Sequence, residues 1–270
     1  MILEETIDFI KQIYETHRIK PPRVTKVIIG LNYTGVEVKT HENAPFLGLA
    51  STLASITNND DCSALKFSGS ITTKAIRELL NWCSETPSIK KIVGIATLNS
   101  VSQHILSVLK PYKRISKSLV EYLKIDKHTT VTFIGLMKPL IRKVRRITKF
   151  ITIIEDTIPV NKEFEELNIK HRIQELKGKE LSTDLLICSG TTLLNDSIEK
   201  ILDLFRKKAQ KVIILGPTAS LVPDILFGYG VDIIGGIEIN DLNAVFRVIQ
   251  EGGGTKLFKP FTEKYNLIKE

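Results

Sequence analysis

The stretch from residue 129 to residue 250 constrains the fold of this chain more than any other. Apolar runs of strand length recur in it: TVTFIGL, KFITIIE, LSTDLLICSG, KVIILG and VDIIGG. Helical segments alternate with them, namely PLIRKVRRI, NDSIEKILDLFRKKA, SLVPDILFGYG and DLNAVFRVIQEGG. Strands that are apolar on both faces need cover on both faces, and a parallel sheet layered between helices supplies it. With right-handed crossovers this predicts a doubly wound, Rossmann-like parallel α/β sheet.

The first half has another rhythm. Leu3, Ile7, Ile10, Ile13 and Tyr14 form one stripe of an amphipathic helix over about residues 3 to 17, which PPR at 21 to 23 ends. VTKVIIGLNYTGVEVKT holds two β-rich runs around GLN and reads as a hairpin with Gly30 and Asn32 near its turn. HENAPFLGLAST follows, then an Asn-Asn-Asp-Asp turn and CSALKFSG, before two helical stretches, ITTKAIRELLNWCSE and SIKKIVGIATLNSVSQHILSVL. Strands followed by helices predict a smaller α+β unit. The polar PYKRISKSLVEYLKIDKHTT marks the boundary, so the expected domains are residues 1–115 and 116–270. The terminal KLFKPFTEKYNLIKE carries enough aromatics to dock, or it frays.

With 43% hydrophobic and 25% charged residues, the 270-residue chain can bury a sizeable core. It has no run of ~18 uninterrupted apolar residues, the length a membrane span needs. MILEETIDFIKQIYETH is acidic where a secretory leader is basic. Its three cysteines, Cys62, Cys83 and Cys188, show no CxxC spacing. A cytoplasmic protein is the expectation. The net charge of +8 raises nucleic acid as a partner. The densest basic run, IRKVRRITK, alternates cations with Ile and Val at helical spacing, the pattern of a solvated helix face. There is no aromatic RNA-recognition strand and no zinc-finger spacing, so a small molecule or metal is expected instead of nucleic acid or a membrane. Composition is neutral on a homo-oligomer.

In open α/β sheets ligands gather beyond the carboxyl ends of the strands. Small or hydroxylated residues stand at four such ends: Gly135; Gly190 with Thr191 and Thr192; Gly216 with Pro217, Thr218 and Ser220; Gly235 with Gly236. Turns need glycine too, so each also has a purely structural reading. Glu155 ends the next strand after Gly135, where dinucleotide folds place an acid against a ribose. GLMKPL is not GxGxxG, however, so no pyrophosphate cradle is expected there, and Lys138 is either an anion contact or an exposed lysine. Asn195 and Asp196 read as caps of the following helix. Asn99, inside the apolar IVGIATLN, needs a partner or a cavity, and Asn32, Tyr33 and Thr34 lie at the hairpin tip. No two ligand-type side chains pair on a helix face around the five histidines; the metal candidates are Cys62 with Asp61, and His41 upstream. GxSxG and P-loop motifs are absent.

IGLMKPLIRKVRR, CSGTTLLNDSIEKIL, LGPTASLVPDILFGYGVDIIGG and VIQEGGGTKLFK together resemble a family of bacterial and archaeal proteins described as "putative heavy-metal chelation", with a Rossmann-like fold. Its pattern runs IG-x-x-KP, GT-x-x-N and GP-[ST]-x-x-x-P. The first half, through IGLNYTGVEV, FLGLASTL, FSGSITTKAIRELL and IVGIATLNS, resembles the domain that precedes it in that family, which is similar to the enolase N-terminal domain. FLGLASTL departs from the pattern with Ser51 in place of a tyrosine. The resemblance implies that the GPTAS loop borders a cleft between the domains. It implies chelation or handling of a metal or metallocofactor, with a metal ion, a metal-bearing cofactor or a small anion as ligand. The alternative is a transferase or lyase using a nucleotide-like cofactor in the same cleft.

Overall fold

The computed structural model describes residues 1–57, 65–109, 112–157 and 163–269, apart from the side chain of Lys179. The front half starts with α1 (Ile2–Thr16), and β1 (Arg23–Ile29), β2 (Tyr33–Lys39) and β3 (Pro45–Ser51) follow as an antiparallel meander. The hairpin turn falls between Ile29 and Tyr33 as its sequence predicts. β3 is an added finding, since FLGLA reads as a connection until Val36 and Val38 of β2 are seen flanked by Gly48 and Phe46. After α2 (Ala54–Thr57) and α3 (Ile76–Asn81) comes α4 (Ile89–Leu109). α4 is long and apolar enough to cross a membrane, yet the larger part of it is buried inside the fold. It lies on β3 at Gly48, where a Cβ would stand 2.1 Å from the Ser100 nitrogen and 2.2 Å from the Ala96 carbonyl oxygen. Only glycine lets helix and strand approach that closely.

The back half contains β4 (Lys113–Arg114), α5 (Leu119–Tyr122), β5 (Val131–Ile134), α6 (Lys138–Arg145), β6 (Ile151–Ile154), β7 (Glu163–Phe164) and β8 (Leu167–Lys170). β9 (Thr183–Ser189), α7 (Ile198–Phe205), β10 (Ala209–Leu215), α8 (Asp224–Gly228), β11 (Ile233–Ile239), α9 (Leu242–Gln250), α10 (Thr255–Phe258) and β12 (Thr262–Ile268) complete it. Its strands form one sheet in the order β4-β12-β11-β10-β9-β5-β6-β8-β7. The run β8-β6-β5-β9-β10-β11 is parallel throughout. The chain thus moves outward from β5 through β6 to β8, then returns to the other side of β5 for β9, β10 and β11. That is a doubly wound sheet with its switch point between β5 and β9.

Four strands here are absent from the sequence expectation, the two-residue β4 and β7 together with β8 and β12. β8 lies in a stretch without a long apolar run, and β12 lies in the terminal segment, which docks antiparallel to β11 with Tyr265 and Leu267 buried. Alternation along the strands divides the core. Phe133, Ile187, Ile213 and Ile233 face α6 with its Ile141 and Val144. On the other face, Leu186, Cys188, Ile214 and Ile234 join α7 and the front half in one continuous cluster that reaches Ile10 of α1 and Ile95 of α4. Each enclosed aliphatic side chain there contributes roughly 1.5–3 kcal/mol.

Candidate functional site

The switch point positions the site. A cleft of about 410 Å³ opens beyond the carboxyl ends of β5, β6, β8 and β9. β5 brings Gly135 to it, β6 brings Glu155 to Thr157, β8 brings His171 and Arg172, and β9 brings Ser189, Thr191 and Thr192. Asn195 and Lys200 come from the start of α7, and Leu53 and Ser55 of the front half close one side. Gly135 has φ +102, and a Cβ there would stand 2.8 Å from that of Ser189, so the two loops meet at a position only glycine fills without strain.

The loop after β5 offers a ligand none of its backbone donors. The Gly135 amide donates to the Ile154 carbonyl at 2.8 Å, that of Met137 to Gly135 at 3.0 Å and that of Lys138 to Leu136 at 2.9 Å. The Leu136 amide donates to Glu155 Oε2 at 2.8 Å. Glu155 Oε1 accepts from the amide of Thr157 at 3.1 Å and from its hydroxyl at 2.6 Å. The carboxylate in the ribose position therefore ties its own loop together. Pro139 has no N–H, so this βα turn is a closed structure where a dinucleotide fold would be open to phosphate.

Side chains supply the donors left over. Arg172 and Lys200 line the cleft and form no ion pair among the described residues. Asp156 is an exposed carboxylate on the same rim. Thr191 donates its hydroxyl to Ser189 Oγ at 2.9 Å, and Thr192 to the Ser189 carbonyl at 2.8 Å, which fixes the β9 loop. Asn195 does not cap α7. Its Oδ1 accepts from the amide and hydroxyl of Ser197, which is itself the N-cap. Asp196, at φ +57, forms an ion pair with the buried Lys91 of α4 and so is committed to the front half.

Of the residues singled out in the sequence, the cleft brings together Gly135, Glu155, Thr191, Thr192 and Asn195. Gly190 lies behind them, with the Ala219 backbone 2.8 Å from where its Cβ would be. Lys138 is exposed, its Nζ 6.0 Å from the Phe164 ring centre. The GPTAS loop, Gly216 to Ser220, belongs to a filled seam between the halves and not to the cleft. Thr218 Oγ1 accepts from the Ser51 amide at 3.1 Å, Ser220 Oγ from the Ile237 amide at 3.1 Å, and the Pro217 carbonyl from Asn99 at 3.4 Å. The tyrosine-to-serine departure at Ser51 thus places a small hydroxyl against Thr218.

Asn99 donates from Nδ2 to the carbonyls of Leu49 at 2.7 Å and Thr218 at 3.0 Å; its Oδ1 is buried without a partner among the described residues. Gly235 and Gly236 have no hollow beside them. A Cβ on the first would meet Leu215 Cδ2 at 2.5 Å, and one on the second would meet the Tyr265 hydroxyl at 2.5 Å. The hairpin tip is likewise in use. Asn32 donates to the Gly252 carbonyl at 2.6 Å, Tyr33 Oη and Thr255 Oγ1 are 2.8 Å apart, and Thr34 pairs with Thr52.

As for metal donors, Cys62 and Asp61 lie outside the described residues, and His41 is exposed on a turn. Among the described residues no three His, Cys, Asp or Glu side chains converge. Cys83 and Cys188 are fully buried, and burial pushes both thiols up to about 12, which keeps them protonated and poor ligands. Sequence reasoning missed His171, Arg172, Lys200 and Ser189. The signal for the first two is the short LNIK strand, whose carboxyl end they form.

The comparisons agree with this architecture. A family model, DUF364, described as "Putative heavy-metal chelation", matches residues 118–268, and a second with the same description, DUF4213, matches residues 14–102. An uncharacterized protein of Methanocaldococcus jannaschii is 26% identical over 198 residues, 73% of each chain. The crystal structure of a DUF364 protein from Pyrococcus horikoshii is similar with TM-score 0.78 at 21% identity over 100% of both chains. Another, from Desulfitobacterium hafniense, gives TM-score 0.72 at 15% identity over 97% of this chain and 100% of its own. At those identities the likeness speaks for the fold. With the first model covering more than half of its residues, the chain belongs to the DUF364 family.

Proposed function

We propose that the protein binds a small acidic metabolite in the switch-point cleft and handles heavy-metal ions as complexes of that metabolite. The observation that carries this reading is the pair of cations, Arg172 and Lys200, in a roughly 410 Å³ cleft without ion-pair partners among the described residues. A cation beside a ligand oxygen gives a charge-assisted hydrogen bond, and Arg can grip a carboxylate with two parallel ones. The family's description supports the metal part, and two cations in the cleft suit a chelating acid better than a bare metal ion. A nucleotide-like cofactor for a transferase or lyase finds less support, because the β5 loop amides are already taken, that of Leu136 by Glu155 and the others by backbone carbonyls.

Calorimetric titration with citrate, with Ni²⁺ and with the Ni²⁺–citrate complex tests the reading. Citrate and its complex are expected to bind the protein, and the Arg172→Ala/Lys200→Ala double variant to bind both at least tenfold more weakly. Stoichiometric Ni²⁺ binding without citrate, abolished by Cys62→Ser, contradicts it and moves the metal to the Cys62, Asp61 and His41 set.

A further inference from the structure

The imidazole of His171 lines the cleft at the mouth of β8, and its two nitrogens have different surroundings. Nδ1 is buried and has no hydrogen-bond partner among the described residues. Nε2 makes no hydrogen bond among the described residues and is not enclosed in that way, so it is the nitrogen left to the cleft. The His171 backbone amide donates to Glu175 Oε2 at 3.3 Å, which holds the residue at the start of its turn.

We propose that His171 donates its Nε2–H to an oxygen of the bound acid, and that this protonation pattern bars it from ligating a metal directly. The inference rests on the small-acid reading above. A neutral imidazole has one N–H and one lone pair. Among backbone groups, buried N–H donors left without an acceptor are rarer than under-satisfied carbonyls, and the same preference applied to the ring favours the proton on the open nitrogen. In the neutral ring that preference puts the proton on Nε2 and the bare lone pair on the enclosed Nδ1. Ligation of a metal through Nε2 would reverse this and move the proton to Nδ1. Histidines that bind metals almost always give that second N–H to a carbonyl, carboxylate or water, and among the described residues no acceptor is within reach of it.

His171 then acts with Arg172 and Lys200 as a third donor, and the three read an acceptor-rich ligand. Glu155 keeps little for a cation, because Oε2 already accepts from Leu136 and Oε1 accepts twice from Thr157. The ligand class is a small molecule with two or more carboxylate or phosphate groups. A metal enters only inside such a complex, with no bond from it to this protein's histidine.

Two readouts test this. The ¹⁵N resonances of the His171 ring, assigned by their loss in His171→Gln, are expected to show the Nε2–H tautomer; the Nδ1–H tautomer overturns the inference. In calorimetry, His171→Ala and His171→Asn are expected to weaken citrate about tenfold. His171→Gln places an amide N–H near the Nε2 position and is expected to stay within a few-fold of the original. Nitrogen coupling in the electron spin resonance of the bound Cu²⁺–citrate complex, lost in His171→Ala, overturns it. Citrate binding that depends on Arg172 and Lys200 but ignores all three His171 variants sinks the histidine role and leaves the cleft reading intact. Failure of citrate to bind at all sinks both.

Discussion

His104 sits on α4 at 4% exposure, with Nδ1 3.0 Å from the Tyr14 hydroxyl and its ring packed near Phe46. Burial lowers its pKa below the usual histidine value, since the imidazolium is the form that loses hydration. The unfolded chain then binds more protons than the native one once pH drops below about 6.5, so stability falls as pH falls from there towards the native pKa. The slope per group is at most ~1.4 kcal/mol per pH unit. Urea midpoints at successive pH values should decline through this window, and His104→Gln should flatten the decline; an unchanged slope in the variant would place the linkage elsewhere. The sequence marks Asn99 as a polar residue that must find a partner, and the structure gives it carbonyls of both halves. It cannot tell that seam from a ligand cleft, because small residues suit close packing of protein on protein as well as protein on ligand.

β12 shows what periodicity alone leaves unread. Its TEKYNLI buries only Tyr265 and Leu267, two residues apart, and the charged Glu263 and Lys264 between Pro260 and that pair obscure the strand signal. β8 is shorter still, and both strands are specified by the edge they pair with, which local sequence does not encode. The parallel strands β5, β6, β9, β10 and β11 were legible because burial on both faces requires unbroken apolar runs. Since β12 covers the whole length of β11 from Ile233 to Ile239, ending the chain after Phe261 uncovers that edge and the core beneath Leu267. The truncated chain is expected to lose its cooperative thermal transition and to aggregate through the freed edge. A sharp transition near that of the full chain would show β12 to be an accessory strand.

At the scale of the molecule, sequence reads as two halves of different rhythm, while the core is shared. The cluster under α4 runs from Ile10 and Val36 through Ile95 to Cys188, Ile214 and Val222. Lys91 with Asp196, and Ser51 with Thr218, add polar ties across the same seam. One unfolding transition is therefore expected, with the calorimetric and van't Hoff enthalpies equal; two resolved transitions would mean that the halves stand alone. Because that seam is filled among the described residues, the hollow left for a ligand at the switch point is the one holding Arg172, Lys200 and His171. Native mass spectrometry of untagged protein supplied with citrate and Ni²⁺ tests this most directly. One acid, with or without its metal, is expected to be retained per chain and lost in the Arg172→Ala/Lys200→Ala variant. Nickel retained without any acid, or an acid retained equally by the variant, would contradict it.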